Sequence, residues 1–251
     1  MDGTAVNAGA GQATDPVDQA RQDLVSTGVS LLPGPAVWAH LGTDATGWTR
    51  FARHWADLAS DRYASARGTR RLRRYGRFRL AAATGELTPL PHRPFVQPQA
   101  SNPLYVRVDR HFEPLTPACA SDPVLHGLLR LLGRMATALD DVAVWEAQVH
   151  PFRVVAQAGD AGEPTPEGLH HDGVTLVSSL LVDRCNVSGG CSSVLDTDGT
   201  ELLDVTLSEP GSLLVGDDRR TVHGVSPVRA RDGDRPAWRD VLVATLVPLA
   251  G

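Results

Sequence analysis

Residues 167–176 read EGLHHDGVTL, with two histidines and an aspartate side by side ahead of a β-branched run. Imidazole nitrogens and one carboxylate are the donors of the 2-His-1-carboxylate facial triad, which holds non-haem Fe(II) and leaves positions open for substrates and oxygen. In an extended chain, side chains at i and i+2 share a face while i+1 points the other way. His170 and Asp172 are therefore expected to converge, with His171 turned away. The third ligand must come from a distant element, and His223 in TVHGVSPV opens a late β-rich segment. Iron of this type also needs a co-substrate that supplies two electrons. If that is 2-oxoglutarate, its far carboxylate calls for an arginine, whose planar fork grips a carboxylate with two hydrogen bonds. Arg239, at the head of RDVLVATLVPL, is the preferred anchor, with Arg235 the alternative in the preceding loop.

These residues need a scaffold that brings separate strands together. From about residue 142 the chain breaks into short β-rich runs, among them VAVWEAQVHPFRVVAQAG, GVTLVSSLLVDR, GSLLVGDD and RDVLVATLVPL, separated by Gly, Pro, Asn and Asp. DTDGTE and SEPGS suit antiparallel connections, so the pattern predicts a sandwich or barrel rather than βαβ units. Upstream, Asp15 caps a helical stretch. Trp48, Phe51, Trp55 and Leu58 form one stripe that reads as core packing, and SDPVLHGLLRLLGRMATAL (121–139) is a further helix with a Ser/Asp-Pro start. The expected fold is mainly β with flanking helices, built on a double-stranded β-helix (jelly-roll, cupin-like) core. Residues 1–15 are read as a disordered lead-in. Residues 16–251 are read as one domain, with a helical and mixed half (16–141) and the jelly-roll core (about 142–250).

Composition removes several alternatives. All 24 basic residues are arginine, so no Schiff-base lysine and no Walker-type lysine is available. A net charge of −5 argues against a nucleic-acid binder. The basic run RGTRRLRRYGRFR (67–79) is read instead as a solvated helix face or a set of internal salt-bridge partners. Three cysteines without a C-x-x-C pair suggest free thiols. The N-terminus has neither the basic start nor the apolar stretch of a secretory signal, and no run approaches the roughly 20 apolar residues of a membrane helix. The expected location is the cytoplasm.

PTPEGLHHDG, LLVDRCNVSGG, LLVGDDRRTVHGVSPV and RDVLVATL together resemble, in order, the blocks of a bacterial Fe(II)/2-oxoglutarate dioxygenase family. That family includes hydroxylases of free amino acids such as L-isoleucine 4-hydroxylase. The resemblance extends more weakly to RRYGRFRL, PFVQPQASNPLYVRVDRHFEPL and VHPFRV, and covers roughly residues 70 to 248. It implies a double-stranded β-helix, with Fe(II) on His170, Asp172 and His223 and 2-oxoglutarate on Arg239. O2 is the second co-substrate, and a small L-amino acid is the molecule hydroxylated, with succinate and CO2 released. For such a substrate, Arg153 and Arg110 are candidates for the carboxylate, and Glu167 and Asp109 for the ammonium. The segment LYVRVDRHF departs from the family pattern, which has a glycine pair there. The R-x-N-x-x-GG stretch around Arg184, Asn186, Gly189 and Gly190 reads as a tight strand connection. The alternative outside this family is a cupin-like non-haem metal enzyme that does not use 2-oxoglutarate.

Overall fold

The computed structural model describes residues 15–66, 68–96 and 109–249. The lead-in through residue 14 and the segment LYVRV (104–108) lie outside them. The helical part starts as its capping residues dictate. Asp15 accepts the Val17 N–H at the head of α1 (Pro16–Thr27), and proline in the first turn has no N–H to waste there. Helices α2 (Gly34–Leu41) and α3 (Ala45–Ala52) follow, then a 3₁₀ turn over Arg53–Asp57, α4 (Arg62–Ser65), α5 (Pro117–Ala120) and α6 (Pro123–Thr137). Trp48, Phe51 and Trp55 are buried as a stripe and pack with α6 residues such as Leu125, Leu128 and Leu132. The helical layer thereby covers the outer face of the large sheet, with Trp145 and Leu176 from that sheet in the same cluster.

The strands are β1 (Val29–Leu32), β2 (Ala59–Ser60), β3 (Arg71–Arg73), β4 (Gly76–Ala81), β5 (Leu87–Pro89), β6 (Val144–Ala156), β7 (Leu176–Cys185), β8 (Val187–Gly189), β9 (Cys191–Asp196), β10 (Glu201–Thr206), β11 (Leu213–Asp217), β12 (Thr221–Val225), β13 (Val228–Ala230) and β14 (Ala237–Pro248). Among the described residues the large sheet runs β1–β11–β7–β14–β6–β3–β2, with β4 also on β6 and β5 on β4. A smaller sheet, β10–β9–β12, and a β13–β8 pair face it. The named strands pair antiparallel throughout. This is the jelly roll that the strand spacing predicts. Leu181, Val194, Leu214 and Val241 fill the space between the two sheets.

Two features differ from expectation. The large sheet recruits β1–β5 from the half read as helical and mixed. The basic run is also strand, not a helix face: Arg71, Arg73 and Arg77 are buried. Arg71 Nε donates to Asp61 Oδ2 at 2.8 Å, and Arg77 grips Glu146 with bonds of 2.8 and 2.6 Å. The internal salt-bridge reading therefore describes Arg71 and Arg77. Cys119, Cys185 and Cys191 are free thiols. No helix among the described residues is long and apolar enough to cross a membrane.

Candidate active site

A cavity of about 340 Å³ opens between the sheets. The pleat decides its lining. On β6 the inward residues are Gln148, His150, Phe152 and Val154, and on β14 they are Arg239, Val241, Val243, Thr245 and Val247. His170, Asp172 and His223 meet at this cavity with one donor atom each, all within 4.8 Å of one another. His170 Nε2 lies 3.9 Å from Asp172 Oδ1, and His223 Nε2 lies 3.7 Å from Asp172 Oδ2. His171 is not among the lining residues.

The convergence has a different cause from the expected pleat. β7 begins only at Leu176, so His170 and Asp172 sit in the loop before it. His170 forms an isolated antiparallel bridge with His223, with N–H···O bonds of 3.0 and 2.8 Å in the two directions. The carboxylate of Asp218 then pins three residues of this loop, 172–174. It accepts the N–H groups of Asp172, Gly173 and Val174 at 3.0, 2.7 and 3.0 Å. Gly173 takes φ +76°, a left-handed turn that a side chain would strain. Asp218 is buried, and its Oδ1 lies 3.8 Å from His223 Nδ1. Sequence reasoning passed over Asp218 because a carboxylate in DDRRT reads as a turn residue. Its one visible signal is its position five residues before the distal histidine.

Protonation follows from partners. His170 Nδ1 lies 3.0 Å from the Gly168 carbonyl, which can only accept, so Nδ1 carries a hydrogen and Nε2 is the nitrogen turned to the cluster. Burial holds His223 below the usual imidazole value, in spite of Asp172 beside it, the direction that metal binding would require. Glu167 lies at the same edge, its Oε1 3.7 Å from His170 Nε2.

Arg239 lines the cavity and is 1% exposed. Its Nε and one terminal nitrogen have no hydrogen-bond partner among the described residues. Burial, followed by the charge of Arg184, lowers its guanidinium to about 10, so it remains cationic at neutral pH. A buried cation with two unmet donors fits a carboxylate. Ser192, also on the cavity wall, has a buried hydroxyl with no hydrogen-bond partner among the described residues. Gly190 makes room: a Cβ there would lie 3.2 Å from Arg239 Cδ, at a residue whose φ is +72°. The tight connection of which it is part is held by Arg184, which donates to the carbonyls of Leu207, Val187 and Gly189, and by Asn186 at φ 52°. Arg235 lies in the turn after β13 and is absent from the cavity wall.

Of the substrate candidates, Arg110 and Glu167 line the cavity. Arg153 does not. It points to the opposite face of β6, where it forms a bidentate pair with Asp240 at 2.7 and 2.6 Å and lies over the Trp238 ring. Asp109 is exposed and also off the wall. Arg71, Arg73 and His150, which sequence reasoning did not single out, are on it.

A family model described as 2OG-Fe dioxygenase matches residues 52–245. The chain belongs to the 2OG-Fe dioxygenase family. This 2OG-Fe dioxygenase is similar to a bsmA homolog from Methylobium petroleophilum PM1, at 32% identity over 92% of this chain and 93% of that one, with a TM-score of 0.85. Its fold is also that of IDO from Bacillus thuringiensis (16% identity, TM-score 0.76, 93% of this chain and 100% of that one). The Fe(II)/α-ketoglutarate-dependent dioxygenase TqaL shares it too (17% identity, TM-score 0.72, 94% and 87%). No curated protein matches the sequence. The chain is thus an Fe(II)/2-oxoglutarate-dependent oxygenase that uses O2, which sets aside a cupin-like enzyme working without 2-oxoglutarate. The two histidines, the adjacent carboxylate and the unmet donors of Arg239 fit those two groups.

Proposed function

We propose that this oxygenase hydroxylates a C–H bond of a free L-amino acid or a close derivative in the cytoplasm. In this reading, His170 Nε2, His223 Nε2 and the Asp172 carboxylate hold Fe(II), and Arg239 holds the far carboxylate of 2-oxoglutarate. The observation that carries it is the buried Arg239 guanidinium, with two unmet N–H donors, on the wall that also carries the three ligands. When bound, iron, 2-oxoglutarate and O2 supply an oxidant that removes a hydrogen from carbon and returns a hydroxyl, releasing succinate and CO2.

The chain's own residues bind, orient and exclude. The Gly168 carbonyl fixes the tautomer of His170, and Asp218 fixes the loop that carries Asp172. The valines of β14 make an apolar wall beside Arg239, which limits water around the reacting groups. Arg110, within the cavity, suits a substrate carboxylate, and Glu167, beside His170, suits an ammonium. The buried position of Arg110 favours a small molecule over a long peptide.

The test is a screen of free L-amino acids for succinate release by the iron-loaded enzyme. At least one is expected to raise release well above the substrate-free rate and to gain one oxygen by mass. Turnover stimulated only by compounds lacking an amino group would refute the amino-acid assignment and leave the oxygenase chemistry intact.

A further inference from the structure

One charged group in the cavity has no role in the site described so far. Arg73, on β3, is 3% exposed and lines the cavity. Among the described residues the nearest carboxylate is Asp61 Oδ2, 3.9 Å from its Nη1. That oxygen already accepts Arg71 Nε at 2.8 Å, and Oδ1 takes the Tyr63 and Ala64 N–H groups. The other terminal nitrogen of Arg73 donates to His150 Nδ1, a neutral acceptor, because burial and then the charge of Arg73 hold that imidazole well below its usual value. Its Nε–H has no partner among the described residues. Aromatic rings flank it, with the guanidinium carbon 3.6 Å from the Phe112 ring centroid and 4.3 Å from that of Phe152. Cation–π contact stabilises a desolvated guanidinium only partly. An isolated buried charge is costly, and proteins keep one where something pairs with it.

We propose that Arg73 is the anchor for the substrate's carboxylate, forming a second anion site in the cavity distinct from the 2-oxoglutarate site at Arg239. Arg110, buried on the same wall and over the Phe95 ring, adds positive potential beside it. The planar faces of Phe112 and Phe152 hold the guanidinium in one orientation, so its fork is set before the substrate arrives. The inference deepens the reading of this cavity as a substrate site. It assigns the class as carboxylic acids, amino-bearing or not, and moves the main carboxylate contact from Arg110 to Arg73, with Arg110 in support.

The test uses the full-length enzyme loaded with Fe(II) and 2-oxoglutarate, as wild type, Arg73→Met and Arg73→Lys. The probes are the twenty L-amino acids, the corresponding 2-hydroxy acids, simple monocarboxylic acids, and the primary amide of each. Substrate-stimulated succinate release is expected from one or more acids, with the matching amide at least about 30-fold weaker, the loss expected when a buried charge pair loses one member. In Arg73→Met that preference for acid over amide should vanish, and Arg73→Lys should restore it in part. The apparent KM for 2-oxoglutarate should stay within about twofold throughout.

Thermal unfolding without any substrate gives an independent readout: Arg71 already pairs closely with Asp61, so replacing the weakly paired Arg73 by methionine should leave Tm unchanged or higher. A structural role would instead lower Tm by several degrees while the acid preference survives, and that overturns the proposal. Stimulation by amides as strong as by acids, or by no carboxylate in the set, overturns it too. A response from 2-hydroxy acids but no amino acid would sink the amino-acid reading and leave the Arg73 assignment standing.

Discussion

Asp218→Asn is the perturbation that isolates how the metal loop is held. The native carboxylate takes three backbone donors: Oδ1 accepts from Asp172, and Oδ2 from Gly173 and Val174. An asparagine of the same shape has one acceptor oxygen and one NH2 group. With its oxygen toward Gly173 and Val174, it sets the NH2 against the Asp172 N–H. In the flipped orientation two donors lose their acceptor. Either way at least one charge-assisted bond is lost and a donor–donor contact is made, costing about 2–3 kcal/mol. In the proposed site Asp172 binds metal only from an ordered loop, so the loss should appear in affinity, as a roughly 30- to 100-fold weaker Kd for Fe(II) or Co(II). Anaerobic calorimetric titration of metal measures it. The neighbouring Asp217→Asn is the control, because that carboxylate serves Arg219 at 2.9 Å and should leave affinity unchanged. A metal Kd within about threefold of wild type in Asp218→Asn would refute the pinning argument.

Three further outcomes follow from the same geometry. Arg239→Ala should raise the apparent KM for 2-oxoglutarate by at least about 30-fold, whereas Arg235→Ala, off the cavity wall, should change it little in the same steady-state assay. Gly190→Ala places a Cβ 3.2 Å from Arg239 Cδ at a left-handed φ, so it should weaken 2-oxoglutarate binding with only about 1–2 kcal/mol of lost stability, read by titration alongside denaturant unfolding. Arg153→Ala leaves the buried Asp240 without its bidentate partner and should cost roughly 3 kcal/mol in unfolding free energy, while substrate KM stays within about twofold.

The residues most legible in the sequence were those whose chemistry is rare. His170, Asp172 and His223 are brought together as their types and separation suggested, and the turn-punctuated β runs foretold the jelly roll. The reason for the convergence was not legible. Asp218 acts through backbone N–H groups 44 to 46 positions away, and no local pattern marks such a pairing. Strands β3 and β4 were hidden because their inward residues include arginines, whose buried partners Asp61 and Glu146 come from elsewhere in the chain. Arg153 shows a signal that was present but unused. Once His150 and Phe152 are taken as inward, the two-residue period of a strand turns Arg153 outward.

The most direct test of the account is anaerobic titration of Fe(II) and then 2-oxoglutarate into the purified protein, monitoring the weak visible charge-transfer band of a metal-chelated keto acid. A saturable band is expected in the wild type and in His171→Ala, and none in Asp172→Ala. Iron bound without a band in the wild type, or a band that survives in Asp172→Ala, would contradict it.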